Sequence, residues 1–392
     1  MNSVRPRRRA TTREMGRPLH IVHLFPCLYL GGAEQHALRL IQALSPKHSF
    51  SLIAPDGPGA PLFDNGGVPR RKFRRLELDV LSGFSSVRKA LAAEAAERSI
   101  DIVHVHVESA LLPFAHHVLP NVPRVYTSHG IVGAAALKYR LTAFATNRWA
   151  DLSCLVSQHD LDRFVACGAR PDKLRLVLSG VTIPPSSEAG RRAMAQRLDV
   201  DPDRHRVIGT LARLESEKGL DLLIRAVARM RTEYPEIRLV IAGTGSQEKR
   251  LRQLVDEVGC SENVSFAGFV REIGDFLGCL HVYAQPSRTE AFGLGVTEAM
   301  ASALPAVVTR VGGLPEQVID GDTGLLVPPE DVVALASALS RLLADPDLRA
   351  AMGRKAVIRH ARNFSLDAMV RRMEGVYAEV LAGNSLQTRQ NK

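Results

Sequence analysis

The chain has 392 residues, 45% hydrophobic and 23% charged, enough for two or three ordinary domains and unlike a disordered or fibrous sequence. Its formal charge of +10 is front-loaded: residues 1–17 carry +5, residues 18–183 another +5, and residues 184–392 balance to zero. No apolar run of about 18 residues occurs, which excludes a membrane-spanning helix, and five scattered cysteines without a CxxC pair exclude a disulfide framework and fit a reducing cytosol.

Residues 1–17 read as a disordered basic tail, with Met15 an alternative start. Arg7–Arg9 before Leu19–Leu30 has the outline of a secretory signal, but His20, His23 and Pro26 interrupt it. A helical pattern at Glu34–Leu40 follows at once, so a cytoplasmic protein is expected. Strands are predicted at Leu19–Phe25, Phe50–Ala54, Asp101–Val107, Arg124–Thr127, Asp151–Ser157 and Leu174–Leu178. A second series falls at Arg206–Leu211, Ile237–Ala242, Asn263–Ala267, Leu280–Ala284 and Pro305–Thr309. Several are continuously apolar, as strands covered on both faces are. Helical stretches such as 33–44, 86–98, 220–233 and 247–258 alternate with them, which indicates βαβ units.

The expected fold is therefore α/β, with two doubly wound, Rossmann-like domains. The turn-rich Thr182–Ser187 separates an N-terminal domain, 18–183, from a C-terminal domain, 184–363. Residues 364–382 form a final helix. Ligands of such sheets bind beyond the carboxyl ends of the strands, so the space between two facing sheets is the default site.

Four motifs sit at strand ends. Gly31-Gly32-Ala33-Glu34 opens the first helix, where backbone N–H groups and the helix dipole suit an anion; a tight strand–helix turn would need glycine regardless. After the strand ending at Leu211, Arg213 and Lys218 offer a planar fork and a compact charge for a diphosphate, or form a solvated charged loop. After Leu280–Ala284, Glu290 and Glu298 flank Gly293 and Gly295, a pattern suited to accepting sugar hydroxyls; Glu298 also suits simple helix-dipole compensation. His129 in Thr127-Ser128-His129-Gly130 suits donation to a substrate hydroxyl, or is a structural histidine. His104 and His106 read as buried structure, since no Cys, Asp or Glu set completes a metal site around them.

Taken together, these residues resemble the retaining glycosyltransferases of family 4 (glycosyl transferases group 1, GT-B fold). The resemblance runs from residue 19 to 381. It includes E-x7-E at Glu290 and Glu298, GGAE at 31–34, His129, Arg213 with Lys218-Gly219, Ala242–Gly245, Phe266–Val270 and Gly312–Glu316.

The resemblance implies a GT-B fold with two domains across a cleft and a last helix crossing back to the N-terminal domain. It implies that Arg213 and Lys218 hold a donor diphosphate, helped by amides near Gly31 and Gly32, and that Glu298 binds ribose. Glu290 and His129 would contact the donor sugar, with amides at Phe292, Gly293 and Leu294. The loop at Gly243 and the backbone near Phe269 would receive the base. No cofactor and no metal is expected, only a nucleotide-diphosphate sugar as donor. Ala212 departs from the usual glycine before the arginine, the 243–246 loop lacks the common proline, and Ser128-His129-Gly130 lacks a following acid.

The expected activity is transfer of a hexosyl unit to a saccharide or lipid-linked acceptor in cell-surface polysaccharide or glycolipid synthesis. The alternative is a sugar-nucleotide isomerase of the non-hydrolysing epimerase type. A nucleic-acid partner is not expected, because the basic excess comes without a stacking platform. The run Arg70–Arg75 suggests peripheral contact of the N-terminal domain with an anionic inner membrane face, or simply a solvated loop.

Overall fold

The computed structural model describes residues 17–74, 80–131 and 136–390. The basic tail before Arg17, and Arg75 of the basic run, lie outside the described residues. The chain forms two compact units. The first comprises residues 1–156, 161–177 and 369–392, and the second residues 157–160 and 178–368.

The first unit is built on seven strands: β1 (His20–Leu24), β2 (Ser49–Ile53), β3 (Arg70–Arg71), β4 (Ile102–His106), β5 (Arg124–Ser128), β6 (Leu152–Leu155) and β7 (Leu174–Leu176). They pair in parallel in the order β3-β2-β1-β4-β5-β6-β7. Every residue of β1, β4, β5 and β6 is buried, the histidines of β1 and β4 and Arg124 of β5 included, as in strands covered on both faces. Val22, Leu24, Val103, Val105, Tyr126 and Leu155 supply one contiguous core.

The second unit has six strands: β8 (Arg206–Leu211), β9 (Ile237–Ala242), β10 (Val264–Gly268), β11 (Val282–Gln285), β12 (Ala306–Thr309) and β13 (Gly324–Val327). Their order is β10-β9-β8-β11-β12-β13, again all parallel. The helix Leu220–Met230 lays Leu223, Ile224, Val227 and Met230 against Ile208, Leu239 and Val282. This is the doubly wound α/β architecture expected from the sequence. In each sheet the strand order reverses once, between β1 and β4 and between β8 and β11. Helices leave opposite faces at such a point and open a crevice at the carboxyl ends.

Two strands were not anticipated. β3 consists of two arginines, and β13 is only four residues long. The first is a charged edge strand, a form that discourages pairing with another chain.

The last helix, Leu366–Gln390, returns to the first unit from Met369 onward. Its Tyr377 hydroxyl lies 2.8 Å from His104 Nδ1, Lys47 Nζ is 2.7 Å from Glu374, and Arg175 pairs with Glu379. Tyr377 and His104 are both fully enclosed, so this bond cannot be replaced by bulk water. Tyr377→Phe is expected to lower the stability of the first unit by about 1–3 kcal/mol, the penalty of an unsatisfied imidazole nitrogen. Urea unfolding followed by the fluorescence of Trp149, the only tryptophan in the chain, checks this; an unchanged midpoint would contradict the role given to the bond.

Candidate functional site

The carboxyl ends of β8 and β11 adjoin because the strand order reverses there, and each leads into a motif loop. The β8 loop carries Arg213 and Lys218, and the β11 loop carries Glu290. Lys218 Nζ reaches Glu290 Oε2 at 2.7 Å, with the two side chains only 14% and 9% exposed. The same oxygen accepts from Gln285 Nε2 at 2.6 Å and Ser287 Oγ at 3.3 Å. Among the described residues, Oε1 of Glu290 accepts no hydrogen bond. The carboxylate is thus anchored by one oxygen and presents the other.

A second tie brackets this pair. Arg288 forms a two-pronged ion pair with Asp221 (2.8 and 2.9 Å) and donates to the Ser216 carbonyl at 2.8 Å. Bonding to Asp221 holds the Arg288 guanidinium above its ordinary pKa. The loops approach so closely that Gly219, at φ +64, could carry no side chain: a Cβ would meet the Pro286 carbonyl oxygen at 2.1 Å.

Arg213 differs from Lys218. It is half exposed and pairs with Glu217 four residues on, at 2.8 Å. An exposed pair of this kind contributes about 0–1 kcal/mol and exchanges readily for a better anion.

The β9 and β10 ends join from the other side. Glu215 accepts from Ser246 N–H at 3.0 Å and Ser246 Oγ at 2.6 Å, bonds that hold its carboxyl below the ordinary range. The Gly243 amide donates to the Gly268 carbonyl at 2.7 Å. A Cβ on Gly243 (φ +138) would lie 1.8 Å from the Ala212 carbonyl oxygen. Phe269, which follows Gly268, is 47% exposed.

Glu298 lies in the helix Leu294–Ala301, which begins after Gly293 (φ +98). Burial pushes the Tyr283 hydroxyl's pKa up; that hydroxyl donates to Gln285 Oε1 at 3.0 Å, and Gln285 in turn donates to Glu290. Phe292 is buried beside Phe364 at 5.9 Å, and its carbonyl accepts from the fully buried Gln317 side chain.

The second unit therefore brings together Lys218, Arg213, Gly243, Phe269, Glu290, Phe292, Gly293, Leu294 and Glu298 at one end of its sheet. Ser287 and Arg288, which lie in the motif before Glu290 but had been given no role, complete the arrangement with Tyr283, Gln285 and Gln317, which were not anticipated. Gln285 could have been noticed as a polar residue ending an otherwise apolar strand.

Gly31, Gly32 and His129 belong to the first unit. Gly31 precedes the helix Gly32–Leu44 in extended conformation, and Glu34 folds back to accept from Tyr29 N–H at 2.7 Å. A Cβ on Gly31 would sit 3.1 Å from the Glu34 carboxylate, so a carboxylate already occupies the neighbourhood of this helix start.

His129 is half-buried at the outer end of a column of imidazoles. Its Nε2 lies 3.0 Å from His106 Nδ1, and His106 Nε2 lies 2.8 Å from His23 Nδ1. His36 stands edge-on to His129 at 5.0 Å. Both nitrogens of His104 are engaged, by Tyr377 and by Thr127 at 2.7 Å. His23, His104 and His106 offer nitrogens within 4.8 Å of one another, close enough for a shared metal ion. Metal binding would require breaking the bonds that occupy both nitrogens of His104 and His106. Hydrogen bonding accounts for the cluster as it stands.

The basic run at the start of β3 is not a free cationic patch. Arg70 is bound by Asp56 and Asp64, Arg71 by Glu94 and Glu97, and Lys72 by Asp56. Four carboxylates compensate these three side chains, so Arg70, Arg71 and Lys72 are not free charge. A cavity of about 400 Å³ lined by Arg204, Arg206, His281 and Arg349 opens at the amino end of β8, the opposite end of the strand from the motif loop. Two of its three arginines are committed: Arg206 to Glu236, and Arg349 to the carbonyls of Leu342 and Leu343.

Two doubly wound parallel sheets in one chain, the second with cations and carboxylates gathered at its strand-order reversal, are the architecture of the GT-B fold. Comparison with known proteins agrees. Residues 30–183 match the family described as Glycosyltransferase Family 4, and residues 196–359 match Glycosyl transferases group 1. A D-inositol 3-phosphate glycosyltransferase of Acidothermus cellulolyticus is 33% identical over 69% of this chain, which spans 63% of that relative's length. The GDP-mannose-dependent alpha-(1-6)-phosphatidylinositol monomannoside mannosyltransferase of Mycolicibacterium smegmatis is 30% identical, over 90% of this chain and 95% of its own. Among solved structures, Anabaena HepE in complex with UDP and glucose superposes with TM-score 0.80 at 22% identity, covering 91% of this chain and 98% of that one. Sucrose-phosphate synthase from Thermosynechococcus elongatus gives 0.78 at 21% identity, covering 93% and 100%. The chain belongs to glycosyltransferase family 4. The relatives named are glycosyltransferases, and the epimerase alternative is not favoured.

The imidazole column makes two predictions. His23 Nε2 is buried and has no partner among the described residues. An orphaned acceptor is tolerated better than an orphaned N–H, so His23 should carry its proton on Nδ1 and donate outward to His106, which in turn donates to His129. His129 is then expected as the Nδ1–H tautomer, readable in nitrogen-15 chemical shifts; an Nε2–H signal would reverse the column. Burial first, and neighbouring charge second, hold His23 down to about 3 and His36 to about 4, with His104 and His106 well below the ordinary 6.5. Their folded values lie below the unfolded one, so stability is complete above pH 6.5. It falls as acid protonates the unfolded chain alone, by up to about 1.4 kcal/mol per pH unit for each histidine. Urea unfolding read by Trp149 between pH 7.5 and 5 checks the slope, and a flat profile would contradict it.

Proposed function

We propose that this chain transfers a hexosyl unit from a nucleotide-diphosphate sugar to a saccharide or lipid-linked acceptor, with retention of anomeric configuration and without a catalytic metal. The observation that carries this reading is the Lys218–Glu290 pair at the β8/β11 reversal: a fixed cation beside a carboxylate with one oxygen available.

In this reading the donor diphosphate takes Lys218 and draws Arg213 away from Glu217. The bond from the sugar C1 to the diphosphate oxygen breaks, and negative charge grows on the leaving group where the two cations stand. Such preorganised charge is usually the largest contribution to catalysis. The acceptor hydroxyl oxygen forms the new bond to C1, and its proton leaves with the diphosphate or to water. Glu290 Oε1 accepts from a sugar hydroxyl, Glu298 from the ribose, and the amides of Phe292, Gly293 and Leu294 line the sugar pocket. The loops at Gly243 and Phe269 hold the base. His129, presenting Nδ1–H, donates to the sugar. Gly31 and Gly32 add amides to the phosphates once Glu34 is accommodated.

The cations Lys218 and Arg213 supply the charge that a divalent metal supplies elsewhere, which supports metal independence. A lipid-linked acceptor is supported by the phosphatidylinositol mannoside acceptor in the name of the Mycolicibacterium relative. The names and titles of similar proteins include GDP-mannose and UDP with glucose, so both nucleotide classes belong in the test.

Thermal unfolding in the presence of UDP, GDP or ADP sugars is expected to show stabilisation by one nucleotide class, unaffected by EDTA. Lys218→Ala and Glu298→Ala should abolish the shift, and Lys218→Ala should reduce turnover by at least about a hundredfold. Unchanged shifts in both variants would place the donor elsewhere.

A further inference from the structure

We propose that the helix Ala136–Trp149 docks the first unit onto an anionic lipid surface. This helix buries Tyr139, Thr142, Ala143, Ala145 and Thr146 on its inner side. Its outer side shows Leu137 at 65%, Leu141 at 60% and Phe144 at 64% exposure. These three are spaced four and three residues apart and form one stripe along the helix. Elsewhere among the described residues, no helix exposes three large apolar side chains.

The other strongly exposed positions are Ala136, Lys138, Arg140 and Arg148. Residues 136–149 contain no Asp or Glu. Among the described residues, none of these three cations has an ion-pair partner, in contrast to the compensated Arg70, Arg71 and Lys72. The neighbouring helices add to the charge. Phe84 of the helix Val80–Glu97 stacks on Phe114 of the helix Leu112–Val118 at 4.0 Å, and the latter packs on Ala136–Trp149. Between the first two lies a hollow of about 320 Å³ lined by Arg88, Lys89, Ser85 and His117. Arg88 and Lys89 are likewise exposed and unpaired among the described residues.

An apolar stripe flanked only by cations is the composition of an interfacial helix: the stripe enters the headgroup–acyl boundary and the lysines and arginines meet lipid phosphates. The hollow has the size and donors for one such phosphate. A protein partner would more naturally be met by a rim of mixed sign, with acidic groups among the basic ones. The link between docking and a lipid-linked acceptor rests on the glycosyltransferase reading; docking itself does not.

Trp149 ends this helix, with its ring 5.9 Å from Phe144, so the single tryptophan of the chain reports on the surface directly. The full chain is mixed with phosphatidylcholine vesicles, with and without phosphatidylglycerol, and followed by flotation and Trp149 emission. Binding and a blue shift are expected only with the anionic lipid. Leu141→Ser/Phe144→Ser and, separately, Lys138→Glu/Arg140→Glu should each reduce the bound fraction at least about tenfold. Circular dichroism and the nucleotide-induced thermal shift should stay unchanged. Failure of the wild type to bind, or equal binding by both variants, would overturn the proposal. So would a dimer that Leu141→Ser/Phe144→Ser dissolves, because the stripe would then belong to a second copy. The nucleotide shift is read separately in every case, so loss of docking leaves the donor reading standing.

Discussion

A lysine and a glutamate, nearly enclosed and from loops 72 residues apart in sequence, meet at 2.7 Å, and the second unit's functional end is organised around that contact. A buried ion pair is costly when left to itself, because desolvation of both groups offsets their attraction. Here Gln285 and Ser287 add donors to the same carboxylate oxygen, and Arg288 with Asp221 fastens the two loops a few residues away. The pair is possible only because the strand order places β8 beside β11. Topology thus comes first, loop adjacency second, and charge placement third.

The first unit solves a different electrostatic problem. Its strand ends carry imidazoles rather than fixed charges, and their burial keeps them neutral, so their contribution is directional hydrogen bonding. A column of neutral imidazoles must choose one polarity, since each ring has one proton to give. That choice is made at His23, deep in the sheet, and is felt at His129 near the surface. The last helix takes part through Tyr377 on His104, which makes the C-terminal segment part of this unit's interior.

Much of this was legible in the sequence. The parallel strands announced themselves as short, largely apolar runs alternating with helical stretches, and the E-x7-E spacing placed Glu290 and Glu298 at the end of a strand and on the helix after it. β3 escaped because two arginines carry no strand signal, and β13 because four residues carry little. Tyr283, Gln285 and Gln317 act through packing between distant segments, which local pattern does not encode. Arg70–Lys72 looked like free charge because its compensating acids, Asp56, Asp64, Glu94 and Glu97, are dispersed along the chain and gather only on folding. The helix Ala136–Trp149 was overlooked for the opposite reason. Its apolar residues fall on both faces, so no one-sided pattern marked the exposed stripe.

The two cations of the second unit are held with unequal strength, and this inequality has a chemical use. Lys218 sits in a nearly enclosed pair with its partner carboxylate already saturated at one oxygen, so it stays in place whether or not an anion is present. Arg213 rests on Glu217 in water, where the contact contributes at most about 1 kcal/mol. A diphosphate therefore finds one cation fixed and one free to swing, and the planar fork is the better of the two at wrapping a phosphate. An ammonium at position 213 would give a point contact where a bidentate one is available.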